Sequence, residues 1–176
     1  MLSYFLLLVT AGNETTRNAT SGGVQAFIDN PDQWKLWKEN PVLLRSAVEE
    51  IVRRISPVAQ FARTASEDYE LRGQKIKKGE SRILYYPSAS RDQDVLNEPF
   101  KFDIKRDPNP HLAFGVGEHF CLGADLARLE LEVIFRALLK HVEYVEPTGR
   151  FERLRSNFVG GIKRMPVRMK LHSHPL

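Results

Sequence analysis

The alternation of apolar and polar residues predicts three helices in the first third of the chain. Residues 1–30 form one helical pattern, which ends at Asn30 because the residue before a proline is disfavoured in the α region. Residues 31–40 predict a short helix with two inward-facing tryptophans three positions apart. In the third helix, apolar residues recur at helical spacing after Asn40, which is the expected N-cap.

The middle of the chain has the features of short β-strands. Arg72-Gly73 is typical of a turn between two strands, and residues 82–87 (RILYYP) predict another strand because of their two tyrosines. Residues 88–115 are rich in proline, aspartate and asparagine, and they predict a long irregular connection. Near the end of the chain, Gly160-Gly161 lies between two strand-like runs and predicts a hairpin.

The clearest helical pattern follows Cys121, the only cysteine. Its apolar residues cover a wide face, so we expect this helix to be deeply packed. They form two adjoining stripes, Leu122, Leu126, Leu129 and Val133 in one and Leu131, Ile134, Phe135 and Leu138 in the other. The helices and small sheets together predict a mainly α fold with small β-sheets, in the α+β class.

Composition is typical of a folded globular protein, with 176 residues, 42% of them hydrophobic and 27% charged, and a net charge of +4. Because no basic stripe alternates with aromatic residues, nucleic acid is not an expected partner. A single cysteine allows no internal disulfide, which favours a reducing compartment and a cytoplasmic location. The apolar run from Tyr4 to Val9 is too short to span a bilayer, so no membrane anchor is visible.

The motif FGVGEHFCLG, residues 114–123, has the properties that a metal-binding thiolate requires. The thiolate must stay ionised, and backbone N–H groups and the positive end of the following helix can stabilise its charge. The glycines allow the backbone to fold closely around the sulfur and to approach a flat ligand. A lone cysteine is usually a small buried hydrophobe, but this spacing of glycines favours a ligand role.

This motif resembles the cysteine-ligand loop of the cytochrome P-450 family, the haem-thiolate monooxygenases. The resemblance implies a haem b cofactor whose iron is axially ligated by Cys121. It also implies further cofactor contacts from the loop and from an arginine on a strand: Phe114, Gly117, His119, Gly123 and Arg63. From the residue alone, an exposed strand arginine is an equally good interpretation of Arg63.

A second motif, AGNETT, lies within the first predicted helix. It resembles the family sequence in which an acid and a threonine lie above the distal face of the haem. The resemblance implies that Glu14 and Thr15 assist proton delivery to dioxygen and that Ala11 leaves room for it. The alternative is a polar surface patch in which Glu14 pairs with Arg17.

Glu50 and Arg53 match the Glu-x-x-Arg signature of the family, and the resemblance adds Arg106 as the third member of a buried charge network. The alternative is an ordinary surface pair worth a few tenths of a kcal/mol. The resemblance also implies an apolar substrate pocket, whose wall includes residues of two separate segments: Val58, Phe61 and Val159, besides Ala11.

The resemblance covers nearly the whole chain, although members of the family are more than twice as long. It implies that residues 1–176 are the C-terminal haem-binding portion of a single cytochrome P-450 domain without its N-terminal half. We therefore expect exposed apolar faces on the first helix and on the helix after Cys121.

The wording of the motifs is most similar to soluble bacterial members that hydroxylate steroids or fatty-acyl chains. The implied partners are an apolar small molecule, dioxygen and a separate ferredoxin-type electron-transfer protein, which would dock near basic residues such as Arg128. Two alternatives remain. The chain is an inactive haem-binding fragment without turnover, or Cys121 is a nucleophile with a histidine as its base, namely His111, His119 or His141.

Overall fold

A computed structural model describes residues 2–173, and its first element is a long helix, α1 (Leu2–Asp29). The predicted first helix is therefore confirmed from Leu2 onward, while Met1 lies outside the described residues. The second half of α1 is buried, but the apolar side chains near its start are between 45% and 85% exposed. The expected exposed apolar face on this helix is confirmed. Among the described residues, no helix combines the length and the apolar character needed to cross a bilayer.

Helix α2 (Pro31–Glu39) and helix α3 (Leu44–Ile55) follow, separated by a single 3₁₀ turn. Asn40 lies at the N-cap position of the 3₁₀ turn that runs into α3, but its side chain makes no capping bond there. Its side-chain amide donates to the Leu36 carbonyl at 3.0 Å, so it satisfies one of the last carbonyl groups of α2 instead.

The core lies where α1, α2 and α3 meet the helix that follows Cys121. Phe27 is at its centre, with ring centroids 5.1 Å from Trp37, 5.2 Å from Phe102 and 6.0 Å from Phe135. Gly23 brings α1 close to this cluster, because a Cβ there would overlap the Phe135 ring. These buried aromatic rings supply much of the apolar burial that stabilises the helices.

The strands form four separate two-stranded antiparallel sheets. They pair β1 (Gln60–Thr64) with β4 (Ser81–Tyr85), β2 (Tyr69–Leu71) with β3 (Gln74–Ile76), β5 (Val142–Pro147) with β8 (Val167–Leu171), and β6 (Glu152–Arg153) with β7 (Ile162–Arg164). Both residues of the predicted turn, Arg72 and Gly73, have positive φ, at 48° and 79°. The predicted α+β class, mainly helical with small sheets, is confirmed.

Two strand predictions are corrected. The strand predicted over residues 82–87 ends at Tyr85, and a short helical turn, α4 (Tyr86–Ala89), follows, because Pro87 suits the first turn of a helix. The predicted hairpin forms between β6 and β7, but its loop is longer than the Gly160-Gly161 pair. It covers residues 154–161, in which Val159 pairs with Val58 of a different segment.

Helix α5 (Ala124–His141) follows the cysteine loop. Leu131 and Phe135 are fully buried, whereas the stripe predicted beside them is 57% to 83% exposed at Leu122, Leu126, Leu129 and Val133. The prediction of deep packing across the whole apolar face is therefore wrong, because only one stripe faces α1 and α3. The expected exposed apolar face on this helix is confirmed.

Candidate functional site

The cysteine loop holds Cys121 at the surface, between a 3₁₀ turn at Gly117–His119 and the start of α5. The backbone N–H of Cys121 donates to the Phe114 carbonyl at 2.9 Å, and the N–H of Phe120 donates to the Gly117 carbonyl at 3.0 Å. These two bonds close the loop on itself. The sulfur is therefore accessible while its backbone is fixed.

The glycines of the loop have different roles. Gly117 has φ +72°, in the left-handed region that favours glycine, and Gly115, which the sequence analysis did not single out, has φ +74°. Gly123 has φ −91°, which any residue adopts. No atom lies within 4 Å of a Cβ built on Gly117 or Gly123, so both face open space. That open space fits a flat group lying against the loop.

The first turn of α5 lies next to the cysteine. The N–H of Ala124 donates to the Cys121 carbonyl at 3.2 Å, and the N–H of Ala127 donates to the Gly123 carbonyl at 2.9 Å. The positive end of the α5 dipole thus lies next to the Cys121 backbone.

An open cleft of about 500 Å³ adjoins the loop, and it brings Arg63 of β1 together with His119 of the cysteine loop. Its other walls are largely apolar and include Ile83, Leu112 and Val116. The Arg63 guanidinium donates to the neighbouring Ala62 carbonyl at 2.9 Å. A cleft with apolar walls and two basic side chains suits a flat apolar group that carries carboxylates.

A charge cluster that the sequence analysis missed lies behind the loop. The Arg128 guanidinium donates two hydrogen bonds to the Glu49 carboxylate, at 2.6 and 3.1 Å, and lies 4.6 Å from the Phe114 ring centroid. Arg128, which was expected near the docking site of a redox partner, thus has its charge paired with Glu49 within the fold, and the docking role stays a prediction. The Phe114 carbonyl in turn accepts the Cys121 N–H, so this cluster supports the loop through Phe114.

His111 joins the same cluster and has little exposed surface. Its Nε2 lies 3.0 Å from the Glu49 carboxylate, and its Nδ1 accepts the Ala113 N–H at 3.3 Å. Both ring nitrogens are therefore engaged, with Nε2–H donating to the carboxylate. This arrangement leaves His111 without a free acceptor nitrogen, so it is a poor candidate for the base of a Cys121 nucleophile.

The same cluster predicts a pH dependence of stability. Burial alone would raise the pKa of Glu49, but the hydrogen bonds and charges of His111 and Arg128 lower it to about 2. Because the pKa is lower in the folded chain, the ionised Glu49 carboxylate adds to the free energy of unfolding. This contribution is fully present above about pH 4.5 and is lost as the pH falls toward 2. We expect the free energy of unfolding to fall across that range, and to fall less in Glu49→Gln.

Urea denaturation at several pH values measures this difference, with Glu67→Gln on an exposed turn as the matched control. An identical acid dependence in Glu49→Gln and in the unaltered chain would show that the pairing of Glu49 does not contribute.

The structure brings Glu50, Arg53 and Arg106 together, and the first two are completely buried. Arg53 donates to both carboxylate oxygens of Glu50, at 2.7 and 2.8 Å, and Arg106 donates to the same carboxylate at 3.1 Å. The carboxylate also accepts the Asp103 N–H at 2.9 Å and the Asn109 amide at 3.1 Å. This is a buried ion cluster and not the surface pair that was the alternative.

The remaining donors of Arg53 reach the irregular segment before the cysteine loop. They bond to the backbone carbonyls of Ser90, Pro99 and Lys101, at 2.8, 2.7 and 3.0 Å. One side chain of α3 therefore fixes three points of a segment that has almost no secondary structure of its own.

The two candidate relay residues of α1 have local partners. Glu14 pairs with Arg17 at 2.6 Å, and both side chains are about half exposed. The Thr15 hydroxyl donates to the Ala11 carbonyl at 2.7 Å, one turn back along the helix. The surface pairing that was the alternative interpretation of Glu14 is thus the one that the structure contains.

The structure also brings together the two predicted wall segments of the substrate pocket. Val58 and Val159 form an antiparallel bridge, flanked by hydrogen bonds from the Ala59 N–H to the Phe158 carbonyl and from the Gly160 N–H to the Pro57 carbonyl. The ring of Phe61 lies 5.5 Å from that of Phe158 in an edge-to-face arrangement. Phe158 is a further apolar member of this surface that the sequence analysis did not name.

Comparison with known proteins shows which family the sequence of this chain matches. The Cytochrome P450 family model matches residues 4–171. A steroid C26-monooxygenase of Rhodococcus jostii is 49% identical over 97% of this chain and 36% of its own length. A methyl-branched lipid omega-hydroxylase of Mycobacterium bovis is 49% identical over 94% of this chain and 39% of its own length. The chain thus spans little more than a third of these curated relatives.

Solved structures match over the same extent. Cytochrome P450-153 from Novosphingobium aromaticivorans superposes with a TM-score of 0.90 at 40% identity, over 94% of this chain and 42% of that one. A cytochrome of Bacillus megaterium in complex with corticosterone also gives 0.90, at 37% identity, over 94% of this chain and 45% of that one.

Proposed function

Because the chain belongs to the cytochrome P450 family, whose named relatives here are monooxygenases, we propose that residues 1–176 form the C-terminal haem-binding portion of a haem-thiolate monooxygenase. The observation that carries the proposal is the cysteine loop. It presents an accessible sulfur at the positive end of α5, beside open space at Gly117 and Gly123. The activity belongs to the whole protein, of which this chain matches a little over a third in its relatives.

The residues around the loop fit a haem b. Cys121 would hold the iron, and Arg63 and His119, which line the same cleft, would hold the propionates. Bound there, a thiolate-ligated haem would supply oxygen activation and the insertion of one oxygen atom into a C–H bond. Phe114 would form an apolar wall near the sulfur, where the bond to its carbonyl already fixes the Cys121 backbone.

Glu14 and Thr15 would deliver protons from solvent to dioxygen. The Thr15 hydroxyl now donates to the Ala11 carbonyl and can turn to donate elsewhere, because a hydroxyl is free to rotate. The Glu14 carboxylate is in contact with solvent and can exchange its Arg17 partner for water, from which it takes up protons. A solvent-facing acid beside a hydroxyl is the arrangement that a proton relay needs.

Thr15→Ala tests this relay. In the whole protein loaded with haem we expect less product for each dioxygen consumed, because general acid catalysis contributes on the order of 10² to 10⁴ in rate. The adjacent Thr16→Ala is the matched control, and the oxygen consumed is compared with the product formed. Equal coupling in the two variants would exclude Thr15 from the relay.

An apolar substrate suits the surface formed by Val58, Phe61 and Val159. The named relatives act on a steroid and on methyl-branched lipids, which supports a steroid or branched acyl chain as the substrate class. Apolar walls would exclude water from the reacting carbon and orient the substrate by shape. We also propose a ferredoxin-type electron donor and a cytoplasmic location, the latter because the single cysteine suits a reducing compartment.

The competing proposal is a haem-binding portion without turnover. The optical spectrum of the purified chain with added haem, reduced and then exposed to carbon monoxide, tests the site directly. A strongly red-shifted main band is expected, since it is the signature of thiolate ligation. An unshifted band, or no uptake of haem, would contradict an assembled cysteine site in this chain.

A further inference from the structure

Asn18 of α1 is a buried amide with no explained role. It is 1% exposed, and neither its Oδ1 nor its Nδ2 has a hydrogen-bond partner among the described residues. Buried polar side chains in folded proteins are nearly always bonded, because an unsatisfied group costs stability. Hydrogen bonding therefore does not explain why an asparagine is buried at this position. The explanation must lie in the atoms that pack against it.

The residue packed on this amide is Gly161, at the end of the loop between β6 and β7. A Cβ at Gly161 would lie closer than 3.0 Å to three atoms of the Asn18 side chain. A positive φ does not account for this glycine, because Gly161 is absent from the residues in the left-handed region among those described. The close approach of Asn18 is therefore the reason for a glycine at this position.

The loop of residues 154–161 is held on its other side by the segment Pro57–Ala59. The Ala59 N–H donates to the Phe158 carbonyl at 2.7 Å, and the Gly160 N–H donates to the Pro57 carbonyl at 2.9 Å. The loop thus lies between this segment and α1, with Gly161 as its contact on the helix. The position of Phe158 depends on both attachments.

Asn18 is also close to the candidate relay residues along the helix. It follows Thr15 by three residues, a rise of about 4.5 Å, and lies four residues after Glu14, on the same face. The contact at Asn18 therefore fixes the position of the loop relative to the part of α1 where oxygen would be activated.

We propose that Asn18 is a positioning residue whose contact with Gly161 sets the separation between α1 and the apolar loop 154–161, and thereby the width of the substrate pocket. The statement about the loop rests on contacts alone, whereas the statement about the pocket rests on the proposed function. The contact acts by shape, because neither amide atom has a hydrogen-bond partner within residues 2–173.

Amide hydrogen exchange of the haem-free chain tests the position of the loop. In Gly161→Ala, the added Cβ displaces the loop, so the Ala59 N–H loses its acceptor and is expected to exchange about tenfold faster. Gly160→Ala is the matched control, since a Cβ there meets only the Pro57 carbonyl oxygen, at 4.0 Å. Equal exchange at Ala59 in the two variants would overturn the contact.

A rescue experiment distinguishes positioning from general damage. Asn18→Ala removes the obstructing atoms, so the double variant Asn18→Ala/Gly161→Ala is expected to recover most of the protection at Ala59. Asn18→Leu has the same branching without polarity, so it is expected to keep the loop in place. Failure of the rescue, or loss of protection in Asn18→Leu, would overturn a contact by shape.

The width of the pocket is tested in the haem-loaded chain with testosterone and dodecanoic acid as probes, using the spectral change on binding. Gly161→Ala is expected to change the ratio of their dissociation constants by about tenfold, and Gly160→Ala is expected to leave it unchanged. An unchanged ratio beside a changed exchange rate would overturn the role in specificity. Failure to take up haem would contradict the proposed function, while the exchange result would still decide the positioning contact.

Discussion

Cys121→Ala is expected to abolish the red-shifted carbon monoxide band of the haem-loaded chain completely. The thiolate is the source of that shift, and Cys121 is the only cysteine in the sequence. The same substitution is expected to leave the free energy of unfolding almost unchanged, because the side chain is exposed and its backbone bonds remain. The visible spectrum and a urea titration measure the two effects separately.

Leu122→Ala is the matched control, since this neighbour is 83% exposed and lies outside the proposed coordination. It should retain the shifted band at full intensity. A shifted band that persists in Cys121→Ala would mean that the sulfur is not the ligand, and the function proposed for the loop would have to be given up.

Arg53→Ala is expected to destabilise the fold by about 3–5 kcal/mol, the range for removing one partner of a buried ion pair. Its loss leaves the buried Glu50 carboxylate without two of its donors and the Ser90 and Pro99 carbonyls without theirs, while the Lys101 carbonyl keeps its bond from Arg106 at 3.0 Å. Urea denaturation measures the change in the free energy of unfolding.

An arginine on the same helix serves as the control. The side chain of Arg45 is 93% exposed and lies 3.9 Å from Glu132, so Arg45→Ala is expected to change stability by roughly 0.5 kcal/mol or less. Should Arg53→Ala not fold, Arg53→Lys keeps the charge but loses the paired bonds and should still be far less stable than Arg45→Ala. Equal stability of Arg53→Lys and Arg45→Ala would contradict a structural role for the cluster.

The local features of the fold could be predicted from the sequence because they depend on neighbouring residues. Periodicity and proline gave the extent of α1 and α2, and Arg72-Gly73 gave a turn with the required positive φ. The side-chain cap expected at Asn40 differs because this asparagine lies between the free carbonyls at the end of α2 and the free N–H groups at the start of the next turn, and its amide N–H bonds backward to the Leu36 carbonyl.

Contacts between distant residues had no such signal. Glu49 and Arg128 are 79 positions apart, and neither lies in a pattern that marks the other as its partner. Arg106, 56 positions from Glu50, was named only because of the family resemblance. Apolar periodicity identified both stripes of α5, but it does not say which stripe has a neighbouring helix to pack on.

The way in which Arg53 holds the segment before the cysteine loop has a consequence for how this stretch can diverge. Its guanidinium bonds to carbonyl oxygens of the main chain at positions 90, 99 and 101, and every amino acid supplies such an oxygen. What these three bonds require of the segment is therefore independent of the side chains at positions 90, 99 and 101. Substitutions can accumulate at those positions without removing an acceptor, provided that Arg53 is kept and that Arg106, which bonds to the Glu98 and Lys101 carbonyls of the same segment, is kept with it.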